Sequence, residues 1–381
     1  MNTTPYQKNK LLALFVCCSL IVTGFQSVLS QETTPPERTS DILIGVEYFA
    51  GWWPESTSAK TGQDWRLSNP ERKPVLGLYN GQETMDHEIT AAADHGVDFF
   101  SILWYYDGNV KQTGDNSNDM CRELNSSVGY FMNSPNANRM KFMVEITNHA
   151  PFAILTEEDW DRCTDFCINA MRHPSYLRID GRAVVKIHGG NQFYHDLNMD
   201  VEQCRRILQR MRQHAKDAGV GDLLIAVGTF GGETIGEDHP FVKIGEIDST
   251  MQYMDSPRYK ESEDDYPYDD LVEYAREMRN IHKNDTLRWT PYLPVGWNPR
   301  PWKDVCTAYK FPTEAQWRAT LVELKETLEH SDKFGFPRRD GSVQKAFTIY
   351  AWNEYGEGGF LAPTEKSGYM KIDVLKEVFD R

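Results

Sequence analysis

The sequence predicts a single α/β barrel of the (β/α)8 type, in which eight parallel strands lie inside a ring of helices. Three observations predict this TIM barrel. From residue 41 onward, short β-branched and aromatic runs alternate with longer amphipathic segments. Most of the short runs are continuously apolar, as expected for parallel strands that are buried on both faces. The last run leads into a loop rich in glycine and carboxylates, which is typical of the catalytic rim of such a barrel.

The N-terminal segment is expected to lie outside this fold. Two lysines precede an apolar run over residues 11–25, which is short for a membrane span. This pattern predicts a secretory signal peptide over residues 1–30, with an uncleaved N-terminal anchor as the alternative. Residues 31–40 are rich in Thr, Pro and Glu and are expected to form a disordered lead, so residues 41–381 form the catalytic domain. We therefore predict a secreted or periplasmic protein with no membrane span after signal removal.

The charge of the chain limits the classes of partner. The formal net charge is −15, and it becomes −17 when the signal peptide and its two lysines are removed. A surface of this sign disfavours nucleic acid and anionic membranes as partners. The chain also contains 10 Trp and 18 Tyr, the residue types that stack on sugar rings. The predicted partner is an oligo- or polysaccharide substrate, and the oligomeric state stays open.

The cysteines are too few and too scattered to indicate a disulfide framework. Five remain after signal removal, an odd number in a chain that is large enough to be stable without disulfides. We interpret them as buried, small apolar groups, with one disulfide as the alternative. They are Cys121, Cys163, Cys167, Cys204 and Cys306.

Eight segments have the composition of buried strands. They cover residues 43–50, 97–106, 141–147, 183–188, 223–229, 248–254, 288–296 and 346–352. Amphipathic segments between them predict helices over residues 83–95, 156–172, 200–218, 268–282, 313–330 and 369–380, with one more in the region 111–138. Only a short or irregular helix fits between the fifth and sixth strands. An open, doubly wound sheet is the rival fold, but no Gly-x-Gly-x-x-Gly turn follows any strand.

Polar and aromatic residues are concentrated where the predicted strands end. A single Trp or Tyr there is most simply explained by core packing, but aromatic residues at five strand ends favour a pocket for a sugar. The candidate substrate-binding residues are Tyr48, Trp52, Trp104, Tyr106, Glu145, His188, Tyr253, Trp297, Asn298, Trp352, Asn353 and Tyr355.

Two glutamates on the final loop are the candidate catalytic residues. Glu354 and Glu357 are three residues apart on a glycine-rich turn. Glycosidic cleavage needs one carboxylic acid and one carboxylate, about 5–5.5 Å apart in enzymes that retain configuration. Mutual repulsion and burial would raise one pKa, which leaves one acid and one base near neutral pH. The alternative is that both are solvated loop residues.

Other chemistries fit the sequence less well. It contains neither a Gly-x-Ser-x-Gly elbow nor a His-Glu-x-x-His motif, so we predict no metal and no cofactor. The common barrel glycosidase plan has acids after the fourth and seventh strands. Here those strands lead into His-Gly-Gly and Gly-Trp-Asn-Pro, which have no acid.

The strand-eight motif resembles that of glycoside hydrolase family 99 and its family 99-like relatives, some of which carry a glycosyltransferase label. The resemblance lies in residues 352–358, followed by Phe-Leu-Ala-Pro, and is supported by segments after the first, second and seventh strands. It implies a (β/α)8 enzyme that acts on α-mannosides with retention. By this likeness Glu354 is the base that removes the proton of the sugar 2-hydroxyl, and Glu357 is the acid that protonates the leaving oxygen. Trp352 and Tyr355 would shape the subsite for the attacked sugar.

The sequence departs from the strict family pattern at Gly356, where family 99 usually has His or another polar side chain. The likeness therefore implies the barrel and the carboxylate pair without carrying mannose specificity. We predict an exported glycoside hydrolase of the family 99-like group. A glycosyltransferase and a non-catalytic carbohydrate-binding barrel are the alternatives, the first disfavoured because an exported chain has no supply of nucleotide-sugar.

Overall fold

A computed structural model describes residues 41–58, 62–108, 122–257, 262–301 and 307–381. The predicted signal peptide and disordered lead lie outside the described residues, as do Cys121 and Cys306. The other three cysteines, Cys163, Cys167 and Cys204, are buried free thiols. Within the described ranges, no helix is both long enough and apolar enough to cross a membrane.

The described strands form one sheet. In chain order they are β1 Leu43–Tyr48, β2 Phe99–Tyr105, β3 Lys141–Thr147, β4 Arg178–Ile179, β5 Arg182–Ile187, β6 Leu223–Val227, β7 Ser249–Met251, β8 Arg288–Thr290, β9 Tyr292–Pro294, β10 Gly335–Pro337 and β11 Val343–Tyr350. The short strands β4 and β10 pair antiparallel with β5 and β11. The other nine strands pair only in parallel with one another, in the order β1-β2-β3-β5-β6-β7-β8 and then β9-β11-β1.

The nine parallel strands close into a barrel because β8 and β9 together occupy one strand position, or stave, of the barrel. They are separated by Pro291, and β8 pairs with β7 while β9 pairs with β11. Proline has no N–H to give to a neighbouring strand, so the ladder is interrupted there. Its carbonyl still accepts a hydrogen bond from Thr348 N of β11, at 2.9 Å. The closing pair joins Leu43 of β1 to Ala346 of β11. The predicted barrel is confirmed, and the open sheet is excluded.

Helices follow most of the strands. They are α1 Pro54–Ser58, α2 Gln82–Asp94, α3 Ser126–Asn133, α4 Glu157–Met171, α5 Gly190–Asp196, α6 Val201–Asp217, α7 Pro240–Ile244, α8 Tyr268–His282, α9 Glu314–Glu329 and α10 Met370–Phe379. Short 3₁₀ turns cover Trp65–Ser68 and Ala137–Arg139.

Side-chain caps fix the beginning of three long helices. The Thr156 hydroxyl accepts from Asp159 N before α4, and Asp200 accepts from two amides before α6. Thr313 and Gln316 form a full capping box before α9. The predicted helix boundaries therefore agree with the structure to within one or two residues.

The structure differs from the prediction in a few elements. The sixth strand is only Ser249–Met251. In the described part of the region 111–138, residues 122–124 are helical, and a turn at Asn125 separates them from α3 and the following 3₁₀ turn. The short helix expected between the fifth and sixth staves is α7. Helix α5 was not predicted because it begins at Gly190, directly after a strand and without a side-chain cap.

Candidate active site

The loop after β11 turns back on itself and so brings both candidate glutamates to the C-terminal mouth of the barrel. Glu354 N donates to Gly359 O at 2.9 Å, and Gly359 N donates to Glu354 O at 3.1 Å. Gly358 has a φ of +80° and lies against Asn298, so a Cβ there would be 2.6 Å from Asn298 N. Only glycine fits this turn. The Tyr350–Ala351 peptide that leads into the loop is cis.

Glu354 is the more deeply buried of the two glutamates, with 6% of its surface exposed. Its Oε1 accepts a hydrogen bond from the hydroxyl of Tyr253, which follows β7, at 3.1 Å. Burial and the neighbouring charge of Glu357 raise the pKa of Glu354 well above its ordinary value, against the lowering effect of the Tyr253 bond. This carboxyl therefore holds its proton more strongly than a solvated glutamate does.

Glu357 is half-buried and has a tyrosine partner of its own. Its Oε2 accepts a short hydrogen bond from the hydroxyl of Tyr350, the last residue of β11. Burial raises the pKa of Glu357, while the Tyr350 bond and the nearby His149 oppose the rise. Two interacting carboxyls with raised pKa values share a proton at a pH where ordinary glutamates are both ionised.

Aromatic rings surround the pair. The ring centroid of Tyr253 lies 5.0 Å from that of Tyr350 and 4.8 Å from that of His188, both edge to face. The half-buried Trp297 lies 5.9 Å from Tyr350. These rings give the mouth of the barrel apolar faces with polar edges, a combination that suits a sugar.

A buried charge cluster lies in the barrel interior. The Nζ of Lys186 lies 2.9 Å from Glu145 Oε1 and 3.1 Å from Glu47 Oε1, and all three side chains have no exposed surface. Because β2 and β3 separate β1 from β5, the contact between Glu47 and Lys186 crosses the interior of the barrel. The Ser101 hydroxyl donates to Glu145 at 2.7 Å.

The cluster divides its charges unequally. Burial alone would raise the pKa of Glu145, but the Lys186 ammonium and the bond to His188 outweigh it and hold the pKa well below the ordinary value. Burial and the Glu145 charge raise the pKa of Glu47 well above its ordinary value. Glu145 is thus the stronger acid of the two and the closer partner of Lys186, and Glu47 holds its proton more strongly.

Two of the candidate substrate-binding residues lie on the helix side of the sheet. The Tyr48 hydroxyl donates to Glu88 of α2 at 2.6 Å, and Tyr48 is almost fully buried. Trp352 has no exposed surface and packs 5.3 Å from Phe100. Successive side chains of a strand point to opposite faces, and Tyr48 has the outward parity, next to the inward Glu47. The structure does not bring these two residues to the pair.

Trp104 and Tyr106, at the end of β2, are also engaged by the helix layer. Trp104 stacks on Phe166 of α4 with centroids 4.5 Å apart. Tyr106 donates a short hydrogen bond to Asp159, also of α4. Both side chains pack toward α4 rather than toward the glutamates.

Three other candidates hold the loop after β11 against the end of β1. The amide of Asn353 clasps Phe49, accepting from its N at 2.9 Å and donating to its O at 2.8 Å. The Trp52 indole donates to Asn353 O at 2.8 Å, and its ring lies 5.3 Å from that of Tyr355. All except Phe49 are nearly fully buried, so they position the loop rather than line the mouth.

Asn298 and an unpredicted arginine hold the other side of the loop. Asn298 N donates to Glu357 O at 2.5 Å. The guanidinium of Arg72 donates to Tyr355 O at 2.7 Å and to Asn298 O at 2.9 Å. Arg72 lies in an irregular segment after β1, where no sequence pattern distinguishes it from a surface arginine.

The structure brings together Glu145, His188, Tyr253, Trp297, Glu354 and Glu357 among the predicted residues. It adds Tyr350 and Lys186, which lie within the predicted strands 346–352 and 183–188 and are not among the candidate binding residues. One signal could have identified Tyr350, because it shares its strand parity with the polar Thr348, whereas Phe347 stacks on Phe379 of the helix layer. Among the described residues, no group of three or more His, Cys, Asp or Glu side chains is arranged to hold a metal ion.

Comparison with known proteins places the chain in a family. The family model described as glycosyltransferase WbsX matches residues 70–375, which include both glutamates. No match is found among curated proteins.

Among solved structures, the family 99 endo-α-mannosidase of Bacteroides thetaiotaomicron in complex with bis-tris propane superimposes with a TM-score of 0.53 and 13% identity, covering 90% of this chain and 97% of that one. A second structure of the endo-α-mannosidase from this organism gives a TM-score of 0.51 and 12% identity, covering 90% and 98%. At this identity the likeness concerns the fold. The resemblance predicted from the strand-eight motif is confirmed, and the chain belongs to the WbsX family, within the family 99-like group.

Proposed function

We propose that this protein is a glycoside hydrolase that cleaves a glycan with Glu354 and Glu357 as its acid–base pair. The observation that carries the proposal is the pairing of two interacting carboxyls at the mouth of the barrel, each bonded to a different tyrosine hydroxyl. Glycosidic cleavage requires this combination of a protonated and an ionised carboxyl. The barrel architecture, shared with glycoside hydrolases, supports the same conclusion.

The family resemblance suggests how the two carboxyls would divide the reaction. Glu354 takes the proton of the sugar 2-hydroxyl, so that O2 bonds to C1 while the C1–oxygen bond to the leaving group breaks. Glu357 gives its proton to that leaving oxygen. In the second half, Glu357 takes a proton from water, the water oxygen bonds to C1 as the C1–O2 bond breaks, and Glu354 returns its proton to O2. Two inversions at C1 give net retention.

The resting site does not by itself assign these roles. Burial and the charge of Glu357 raise the pKa of Glu354 further than burial raises that of Glu357, whereas the resemblance makes Glu354 the base. Because the two carboxyls interact and both have raised pKa values, the bound leaving oxygen would select the proton donor. The pH profiles proposed in the Discussion separate the two roles.

We further propose a secreted polysaccharide-degrading role, with an α-mannan as the first substrate to test. The aromatic rings of Tyr253, Tyr350 and Trp297 suit stacking against a sugar ring. The structural neighbour is described as an endo-α-mannosidase. Gly356 stands where family 99 usually has a polar side chain, so the sugar specificity is open and other plant, algal and host glycans belong in the same screen.

The test is product analysis after incubation with α-mannans and with the wider glycan panel. The wild-type chain should release oligosaccharides that chromatography resolves, and the first anomer seen by NMR should retain the configuration of the cleaved bond. Glu354→Gln and Glu357→Gln should each lose at least about 100-fold in rate, because a positioned acid or base contributes about 10²- to 10⁴-fold. Melting temperatures should stay within a few degrees.

The matched control is Glu365→Gln, since Glu365 is a half-exposed glutamate near the same loop that pairs only with Lys73 among the ion pairs described. It should hydrolyse at the wild-type rate. If Glu354→Gln and Glu357→Gln also kept that rate, the pair would not be catalytic.

The second candidate function is glycosyl transfer, and the family description is the observation that favours it. The same assay distinguishes the two. A hydrolase releases products without any added nucleotide-sugar, whereas a transferase converts an acceptor only when such a donor is supplied.

A further inference from the structure

His188 lies at the boundary between the buried charge cluster and the candidate active site. Its Nδ1 is 2.6 Å from Glu145 Oε1. The ring centroids of His188 and Tyr253 lie 4.8 Å apart in an edge-to-face arrangement, and Tyr253 in turn donates to Glu354. The histidine keeps 9% of its surface exposed. It therefore connects the interior cluster to the catalytic pair through direct contacts.

The backbone around His188 is fixed from several sides. His188 N donates to Ile146 O at 2.9 Å. The side chain of Asn148 accepts from Gly189 N at 2.8 Å and donates to Gly189 O at 3.0 Å. Gly228 packs so closely that a Cβ there would lie 1.7 Å from His188 O. Such a backbone presents the ring in one position, as a preorganised site requires.

The Glu145 contact determines which ring nitrogen carries the hydrogen. Glu145 is held ionised by Lys186, and a carboxylate only accepts hydrogen bonds. The hydrogen of the 2.6 Å contact therefore belongs to Nδ1 of His188. The titratable groups that face the ring are Glu145, Lys186, His149 and Tyr253, and burial lowers the pKa of His188, which favours the neutral ring.

A neutral ring with its hydrogen on Nδ1 has a lone pair on Nε2. Among the described residues, no hydrogen bond to Nε2 is found. Burying three ionisable groups inside a barrel is costly when apolar layers would fill the same space. This cost is explained if the cluster serves to fix the protonation state and tautomer of His188.

We propose that the Glu47–Lys186–Glu145 cluster fixes His188 as the neutral Nδ1–H tautomer, so that its Nε2 accepts a hydrogen bond from a hydroxyl of the sugar bound beside Glu354. This inference rests on the proposed function. His188 is then a substrate-orienting residue, and the cluster positions it. The site would select sugars with a free hydroxyl at that place over deoxy or O-alkylated ones.

The first test reads the tautomer directly and needs no substrate. Nitrogen-15 NMR of the histidine-labelled protein distinguishes Nδ1–H, Nε2–H and imidazolium forms. The resonances of His188 are those that are missing from the spectrum of His188→Gln. At neutral pH His188 should be the Nδ1–H form. In the double variant Glu145→Leu/Lys186→Met, which removes both charges together, the tautomer should shift toward Nε2–H. An imidazolium or an Nε2–H form in the wild type would overturn the inference.

The second test compares two substitutions of His188 on the glycan that the wild type hydrolyses. An Asn side chain places its amide near the Nδ1 position and so keeps the bond to Glu145 while losing the acceptor at Nε2. A Gln side chain reaches the Nε2 position with its carbonyl oxygen. His188→Asn should lower kcat/KM by about 10- to 100-fold, the range of one hydrogen bond left unmade, mainly through KM. His188→Gln should recover most of that loss.

His195→Gln, an exposed histidine of α5, is the control and should match the wild type. If Glu354→Gln and Glu357→Gln abolish turnover but His188→Asn does not, the inference is wrong and the hydrolase proposal stands. If Glu354→Gln and Glu357→Gln keep turnover, the assignment of the catalytic pair fails, and the tautomer measurement still decides the state of His188.

Discussion

At the scale of single residues, each candidate catalytic carboxyl has a separate tyrosine that tunes it. Tyr253 donates to Glu354 and Tyr350 donates to Glu357. A hydrogen bond donated to a carboxylate stabilises the ionised form and lowers its pKa. The two bonds come from different strands, so each can be removed alone.

Removing either hydroxyl should therefore move one limb of the pH–rate profile. Tyr253→Phe raises the pKa of Glu354, and if Glu354 is the base, the acid limb moves to higher pH. Tyr350→Phe raises the pKa of Glu357, and if Glu357 is the acid, the alkaline limb moves to higher pH. The measurement is kcat/KM against pH, with the exposed Tyr369→Phe as the control. If each variant moved the opposite limb, the roles would be exchanged.

The raised pKa of Glu354 also predicts how stability depends on pH. Its folded pKa lies above its unfolded value of about 4.3, so the folded state loses stability as the pH rises through the folded pKa. Glutamine has no charge to bury. The free energy of unfolding of Glu354→Gln minus that of the wild type, measured in urea, should therefore be more favourable to the variant at about pH 8 than at about pH 5. Glu365→Gln should show no such trend. An equal effect at both pH values would show that Glu354 ionises normally.

The sequence located the glutamates but not their partners. Glu354 and Glu357 are close along the chain, so a local motif reveals them. Tyr253 is 101 residues away from Glu354, and the two meet only when the barrel closes. A contact of this kind leaves no local pattern. Tyr350 was within reach of sequence analysis because strand parity places it on the inner face.

At the scale of elements, the loop after β11 depends on close packing against its own strand. A Cβ at Gly359 would lie 2.2 Å from Cε1 of the Tyr350 ring. The ring is fully buried and has no room to retreat. The loop geometry and the Tyr350–Glu357 bond are therefore coupled.

Gly359→Ala should displace Tyr350 and weaken both catalysis and stability. Overpacking of this kind costs about 1–3 kcal/mol, and the rate should fall because Glu357 loses its partner. Unfolding in urea and the hydrolysis rate are the measurements. The control is Gly236→Ala, since a Cβ there meets nothing within 4 Å. Wild-type activity in Gly359→Ala would show that the loop relaxes without cost.

Element positions were easier to predict than the faces of elements. The alternation of apolar runs and amphipathic segments identified every barrel stave, and caps such as Thr313 marked helix starts. The candidate binding residues, however, were chosen by their position at strand ends. Four of them, Tyr48, Trp104, Tyr106 and Trp352, lie on the helix side of the sheet instead. Strand parity separates Tyr48, Trp104 and Tyr106 from the mouth of the barrel, whereas Trp352 lies beyond the end of β11, where strand parity no longer applies.

At the scale of the whole molecule, the chain is strongly acidic, and its candidate active site also contains carboxylic acids. The formal net charge of −15 gives a field that disfavours anionic polymers. The fold class followed from the order of segments alone because eight β–α repeats have few other arrangements. The substrate does not follow in this way, because the same barrel supports many chemistries.

The acidic surface predicts that the protein neither binds DNA nor is retained on immobilised heparin at low salt. Electrostatic attraction supplies most non-specific binding to such polyanions, and here its sign is repulsive. A gel-shift assay and a heparin column measure this directly. Retention that decreases with added salt would reveal a basic patch and contradict the prediction.

The closure between β1 and β11 affects the order in which the protein matures. The loop that carries the candidate glutamates follows the last strand of the barrel, and the hydrogen bonds between Asn353 and Phe49 hold it to the end of the first strand. During synthesis, the ring stays open until the ribosome has released the C-terminal strand. No nascent intermediate that ends earlier has both carboxyls or the seam that positions them. Under the proposed function, activity arises only after this last strand and its loop have been made, so shorter nascent forms are inactive.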